Sequence, residues 1–499
     1  MADNKWTKEQ QSAIDRRGCN LLVAAAAGAG KTAVLVERII KKITDPDNPV
    51  DVDSLLIVTF TNAAATEMKE RIGEAISKEL EKQPDNKNIQ RQQTLLNKAD
   101  ITTIHSFCLS VIRNNFQCLD IDPKFRILDE TEAYLLKLET LNDLFDSLYE
   151  EENDSFTGNK ENYFSLLESY GGNRDDLAIQ DMVLEVHSFI QSSPWPEQWL
   201  DKAVEMFNIA VEDFGVTKWG SIIINSISMV LKSLATQLED CLAQLVNAEG
   251  LTKYIDVFND DLNMVNCIIS ACNKGMWDEV FSLVQGYSFS RLPTSAKNAD
   301  ENVKEKVKET REELKTYIKK LQEDVFYCKS EDMLNELNKL YPLLKCLSHL
   351  VLDFDRQYQE RKKQKTAVDF NDLEHFCLKI LTKEGKEKAS DIAKNYRRKY
   401  SEIMVDEYQD SNDVQEIIIK TISSEDEGKP NVFMVGDVKQ SIYRFRQAKP
   451  DLFMNKYRSY SPQEAPYSKI VLDKNFRSGR EVVNSVNFIF RSIMSELAG

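Results

Sequence analysis

The sequence predicts an α/β protein: a parallel sheet with helices on both faces, interrupted by a large all-helical insertion. Three observations carry this. Short apolar runs at 20–26, 55–60, 101–104, 403–405 and 432–435 are mostly followed by helical patterns, as buried parallel strands joined by crossover helices are. The middle, about 129–365, is instead rich in Leu, Lys, Glu and Asp at helical spacing, with few β-branched clusters. A loop of small residues joins the first apolar run to the first strong helical pattern, and loops at the carboxyl ends of parallel strands hold ligands.

In chain order, the run Asn20-Leu21-Leu22-Val23 leads into Ala24-Ala25-Ala26-Ala27-Gly28-Ala29-Gly30-Lys31-Thr32, and a helix follows over 34–40. Residues without side-chain bulk let backbone N–H groups wrap a phosphate chain, and the helix N-terminus adds a favourable dipole. This is a phosphate-binding loop, with Ala25 where the usual pattern starts with glycine. Ala27, Gly28, Ala29 and Gly30 would cradle the phosphates, Lys31 would reach the β- and γ-phosphates, and Thr32 would ligate Mg²⁺. Within the helical middle, 303–314 reads as an exposed helix whose charge run is a solvated face. Breaker residues mark loops at 169–176, 193–196 and 292–295.

After the insertion, the apolar run 403–405 ends in Asp406 and Glu407. Asp406 would hold Mg²⁺ and Glu407 would polarise the attacking water. The next apolar run leads to Asp437 and Gln440, whose amide can sense a γ-phosphate. Tyr443 and Phe445, interleaved with Arg444 and Arg446, suit base stacking and phosphate neutralisation. A further strand signal at 469–472 reads as the opening of a second domain. The expected division is 1–128 with 366–458 as the first α/β domain, 129–365 as the helical insertion, and 459–499 as the start of the second.

Composition bounds the rest. The 499 residues are 42% hydrophobic and 29% charged, as in soluble globular chains large enough for two or three cores. No apolar run approaches the roughly 20 residues that span a bilayer, so no membrane partner is expected. The N-terminal residues lack the apolar core of a signal peptide. Nine scattered cysteines without a C-x-x-C pair point to reduced thiols in the cytoplasm and exclude a zinc or disulfide framework here. The net charge of −17 would repel a polyanion in bulk. A narrow channel with local basic and aromatic groups still grips one strand.

Gln10 in Trp6-Thr7-Lys8-Glu9-Gln10, the Lys31 loop, Thr59-Phe60-Thr61-Asn62, Thr103-Ile104-His105-Ser106-Phe107, the Asp406 box, the Gln440 motif and Asn475-Phe476-Arg477-Ser478 follow one another in a particular order. It is the order found in UvrD/Rep-type superfamily 1 DNA helicases, which the chain resembles over nearly its whole length. The Trp-Thr opening, the Asp-Glu-Tyr-Gln-Asp box and the long insertion are most similar to the AddA branch of helicase/nucleases, related to RecB. The resemblance implies RecA-like P-loop domains, ATP and Mg²⁺ as cofactors, and single- and double-stranded DNA as partners. It also implies the processing of double-strand breaks for recombinational repair, together with a second, AddB-like subunit.

Residue by residue, the resemblance implies that Gln10 reads adenine, Phe476 stacks on it, and Arg477 stabilises the transition state at the γ-phosphate. Phe60, Thr61, Asn62, Thr103 and His105 would face the DNA strand beside Tyr443, Phe445 and Arg446. A satisfied structural histidine stays open for His105, as does a core aromatic for Tyr443. Ala33 stands where many such helicases carry an arginine, which shifts base selectivity towards Gln10 and Phe476. The family's later helicase motifs and cysteine-bound nuclease cluster have no counterpart in 1–499, so this stretch by itself is expected to lack nuclease activity. Two alternatives remain at this point: a stand-alone UvrD/Rep-type repair helicase, and a DNA- or partner-binding module with little turnover.

Overall fold

The computed structural model describes residues 6–149, 156–171, 176–296, 299–383, 386–444 and 447–493. Six strands form one sheet: β1 (Asn20–Ala25), β2 (Leu55–Thr59), β3 (Asp100–Thr103), β4 (Glu402–Val405), β5 (Val432–Gly436) and β6 (Tyr467–Leu472). Their order is β6-β1-β5-β4-β2-β3, and each neighbouring pair is parallel. The central strands are buried on both faces, which explains why they read as unbroken apolar runs. Successive residues nonetheless go to opposite cores. Leu21, Val23 and Ala25 join one apolar cluster, and Leu22 joins the other.

One face is covered by α1 (Lys8–Asp15), α2 (Lys31–Ile43) and α3 (Asn62–Lys82). The other carries α4 (Ile104–Asn115) and helices that follow the insertion. The strand at 467–472, expected to open a second domain, is instead one of the two edge strands of this sheet, paired with β1 from Asn20↔Tyr467 to Ala25↔Leu472. Its alternating burial, with Tyr467 and Val471 exposed, is that of an edge strand. An apolar run identifies a strand but carries no label for the sheet it joins.

The chain divides into two compact units, one of 1–157, 171–199 and 350–499 and the other of 158–170 and 200–349. The second is helical, built on α5 (Lys218–Asn247), α6 (Tyr254–Lys274), α7 (Glu301–Lys320) and the start of α8 (Ser330–Gln364). By length and apolar content alone α5 reaches the measure of a membrane-spanning helix, against expectation. Its apolar stripe, including Ile224, Leu231, Leu238 and Leu245, closes the core against α6 and α7. In α7 the charge run read as a solvated face has one exception. Arg311 is buried, with its Nε 2.6 Å from Asp261 Oδ2.

After α8 come α9 (Phe370–Leu381), between the insertion and β4, and α10 (Asp413–Ile422), between β4 and β5. All nine cysteines are free thiols. A buried ion pair locks α2 to the sheet. Arg38 Nη2 lies 2.5 Å from Glu402 Oε1, its Nη1 donates to the Ala13 carbonyl at 2.7 Å, and its guanidinium stacks over Phe433. Burial pushes the Glu402 carboxyl up, but Arg38 and Lys42 outweigh it and hold it below its ordinary value. Removing one partner of such a pair strands the other charge. Glu402→Gln is therefore expected to destabilise the chain by about 3 kcal/mol in urea unfolding.

Candidate functional site

Three loops meet at the carboxyl edge of the sheet because β5 lies between β1 and β4. After β1, the chain turns through Gly28 (φ +73°) and Gly30 (φ +84°), a left-handed backbone that side chains disfavour. A Cβ on Gly28 would also stand 2.8 Å from Asn475 Oδ1. Gly30 is the N-cap of α2 and provides no side-chain cap. The first-turn N–H groups around Lys31 and Thr32 thus suit an anion.

Gln10 supports this loop from behind. Its Oε1 accepts from the Thr7 N–H at 3.0 Å in a capping box, and its Nε2 donates to the Ala29 carbonyl at 3.0 Å. The segment after β6 grips the same loop from another side. Asn475 Nδ2 donates to the Ala27 carbonyl, and the Phe476 N–H donates to the Gly28 carbonyl, both at 2.9 Å. The Phe476 ring is 62% exposed. Arg477 is exposed too, its backbone N–H donating to Asn475 Oδ1.

The acidic loop follows β4. Lys31 Nζ lies 2.6 Å from Glu407 Oε2, joining residues 376 positions apart. Glu407 adopts φ +50°, ψ 45°, a strained left-handed conformation for a residue with a side chain. Asp406 is fixed by its own N–H on the Val58 carbonyl and by the Glu407 N–H on its Oδ1. Desolvation and the neighbouring Glu407 charge push its carboxyl up to about 6, although Lys31 pulls the other way. Asp410 is raised to about 6 by the same two causes, and its Oδ1 is buried without a hydrogen-bond partner.

Gln409 is the residue that sequence reasoning left without a role. It is buried, and its Nε2 donates to Glu407 Oε2 at 3.0 Å and to Asp410 Oδ2 at 3.1 Å. Its Oε1 accepts from the Asp437 N–H at 2.9 Å. A Cβ on Gly436 would stand 2.3 Å from that oxygen, so the close approach needs glycine. Gln440 joins through Asp437, donating from Nε2 to Oδ2 at 2.9 Å. The acidic loop and the Gln440 loop are thereby one hydrogen-bonded assembly.

Further along the same edge, Phe60 and Tyr443 pack with ring centroids 4.5 Å apart. Thr61 caps α3, and Asn62 is exposed in its first turn. The Thr103 hydroxyl is buried and engaged in capping α4, accepting from the Ser106 N–H at 3.3 Å. His105 Nε2 stands 3.2 Å from Glu374 Oε1. Phe445 and Arg446 lie outside the described residues.

A family model described as the UvrD/REP helicase N-terminal domain matches residues 6–461. The chain belongs to this family.

It is 57% identical over 505 aligned residues to the A subunit of the ATP-dependent helicase/nuclease of Ruminiclostridium cellulolyticum, covering all of this chain and 40% of that protein. The proteins of the same name from Acetivibrio thermocellus (54%; 99% of this chain, 40% of that one) and Clostridium novyi (50%; 100% and 40%) are similar. The chain thus spans about two fifths of the length of these curated relatives.

Within this UvrD/REP-type domain, the raised Asp406 carboxyl has a measurable consequence. Its folded pKa of about 6 exceeds the unfolded value of about 3.9. Its charge therefore costs stability fully above pH 6, and the cost vanishes as pH falls below about 4. Asp406→Asn is expected to raise unfolding free energy by on the order of 1 kcal/mol at pH 8 without divalent cation. The gain should disappear near pH 4, read by urea unfolding at both pH values.

Proposed function

We propose that the chain is the ATP-driven motor portion of an AddAB-type helicase–nuclease that processes DNA double-strand breaks for recombinational repair. The observation that carries the reading is the Lys31–Glu407 pair at the carboxyl edge of a parallel sheet. A phosphate-binding lysine and an acid able to polarise water converge there from opposite ends of the chain. Membership in the UvrD/REP family and the likeness to the helicase/nuclease relatives support it.

In this reading, the Ala27–Gly30 backbone and the first turn of α2 take the phosphates of ATP. Gln10 keeps one amide hydrogen and one lone pair free beyond its present bonds, enough to read an adenine edge, with the exposed Phe476 ring beside the loop for stacking. The Thr32 hydroxyl and the Asp406 carboxylate are hard oxygen donors, the set that fits Mg²⁺ held jointly with phosphates. Held there by Thr32 and Asp406, Mg²⁺ would supply positive charge against the charge that develops on the phosphates. Arrival of the γ-phosphate draws Lys31 off Glu407 and frees that carboxylate to orient water. Gln409 and Asp437 hold Glu407 and Gln440 in one frame, so loss of the γ-phosphate is sensed in both loops. Arg477 completes the charge stabilisation when the segment after β6 closes.

The strand runs across Phe60, Thr61, Asn62 and His105, with the Phe60–Tyr443 pair as its stacking platform, and Thr103, buried and capping α4, positions the His105 turn beneath it. Phe445 and Arg446 are proposed as further strand contacts on the strength of their residue types alone. The partners are double-stranded DNA ahead of the motor and a second protein of the AddB type. The nine free thiols suit a cytoplasmic protein. In domain terms, the first RecA-like domain is 1–128 with the residues from 366 through β6, the helical insertion lies between them, and the residues beyond β6 lead into the second.

The decisive measurement is ATP turnover with and without single-stranded DNA. DNA-stimulated turnover is expected, and Lys31→Ala and Glu407→Gln should each lower it by about a hundredfold or more. Turnover indifferent to both substitutions would sink the reading.

A further inference from the structure

One buried acid plays no part in the chemistry above. Glu374 lies on α9, with its side chain 7% exposed. Its Oε1 accepts from Gln415 Nε2 at 2.8 Å and its Oε2 from Asn412 Nδ2 at 3.1 Å. Its Oε1 also stands 3.2 Å from His105 Nε2. His105 occupies the first turn of α4, directly after β3, with its ring 40% exposed and edge-on to Phe370. Asn412 is the N-cap of α10, accepting from the Gln415 N–H at 2.8 Å, and follows Asp410 by two residues.

One carboxylate thus joins the β3–α4 turn to the far side of the acidic loop. Neighbouring α9 positions Leu373, Cys377 and Leu378 are filled with apolar side chains in the same core. Burying a carboxylate among them is costly unless every lone pair is used. Two of its partners, Asn412 and Gln415, sit together at one capped helix start and so move as a unit. The third, His105, has its ring 40% exposed and so within reach of a ligand.

We propose that Glu374 is the positioning residue through which strand binding at His105 is felt at the acidic loop. This rests on the functional reading of the site given above. When a nucleic-acid strand draws the imidazole outward, the carboxylate keeps only its α10 partners and shifts towards them. The N-cap of α10 moves with it, and so does the Glu407–Asp410 turn that immediately precedes it. That turn is poised to respond, because Glu407 holds a strained backbone conformation. The coupling runs both ways, as linkage requires: nucleotide at Lys31 alters strand affinity, and strand alters nucleotide affinity by the same factor.

The test is a linkage measurement on the full chain. Affinity for a fluorescein-labelled oligothymidylate is measured by anisotropy, with and without a saturating non-hydrolysable ATP analogue and Mg²⁺. The ratio of the two affinities is expected to be about fivefold or more. Glu374→Ala should bring it close to one, while affinity for each ligand alone stays within about twofold. Gln415→Ala, which removes one partner and leaves the carboxylate in place, should lower the ratio as well. It keeps the test decisive if Glu374→Ala fails to fold. An unchanged ratio in Gln415→Ala, or in a folded Glu374→Ala, overturns the proposal. A wild-type ratio of one, with both ligands bound, overturns the relay alone. A chain that binds neither ligand overturns the functional reading beneath it.

Discussion

The parallel pairing of β1 with β5, and of β5 with β4, is the constraint on which the site depends. It puts the carboxyl ends of three strands side by side, so that residues separated by the whole insertion share one edge. The Lys31–Glu407 contact and the Gln409 assembly follow from that adjacency, and the Asn475 contacts on the phosphate loop follow from the pairing of β6 with β1. Arg38 and Glu402 reinforce it from below, tying α2 to the first residue of β4. The pair is expensive to desolvate and hard to break singly, which suits a residue that fixes register more than it adds net stability.

Much of this was legible in the residues themselves. Four of the six strands stand as apolar runs because buried parallel strands need no polar face. The phosphate loop declared itself through small residues before Lys31, and the acidic loop through two carboxylates at a strand end. What stayed hidden depends on tertiary partners. Gln409 looks like an ordinary polar residue until Asp437, 28 positions away, donates to it. Glu374 is one acid among many until Gln415, 41 positions on, fills its carboxylate. Arg311 was hidden within a solvated-looking charge run for the same reason. Its partner Asp261 is 50 positions away on another helix.

The placement of β6 follows the same logic. Its strand signal was readable, but sheet membership is decided by hydrogen bonds to β1, and these leave no trace in hydrophobicity. The backbone at Glu407 is a further case. A left-handed φ at a glutamate has no signature in composition, and it is held in place by the strand before it and the short helical turn after it.

The phosphate loop is held by the segment after β6 through two short bonds, from Asn475 Nδ2 to Ala27 and from the Phe476 N–H to Gly28. In mechanical terms this is a latch. Hydrogen bonds lose their strength within a few tenths of an ångström of stretch and over modest misalignment. A load on the chain beyond β6 therefore reaches the phosphate loop directly until both bonds fail, and afterwards only through the pairing of β6 with β1. Stiff, short-range linkage of this kind converts a gradual pull into an abrupt release. The two ends of the sequence are connected as a switch is, with no spring between them.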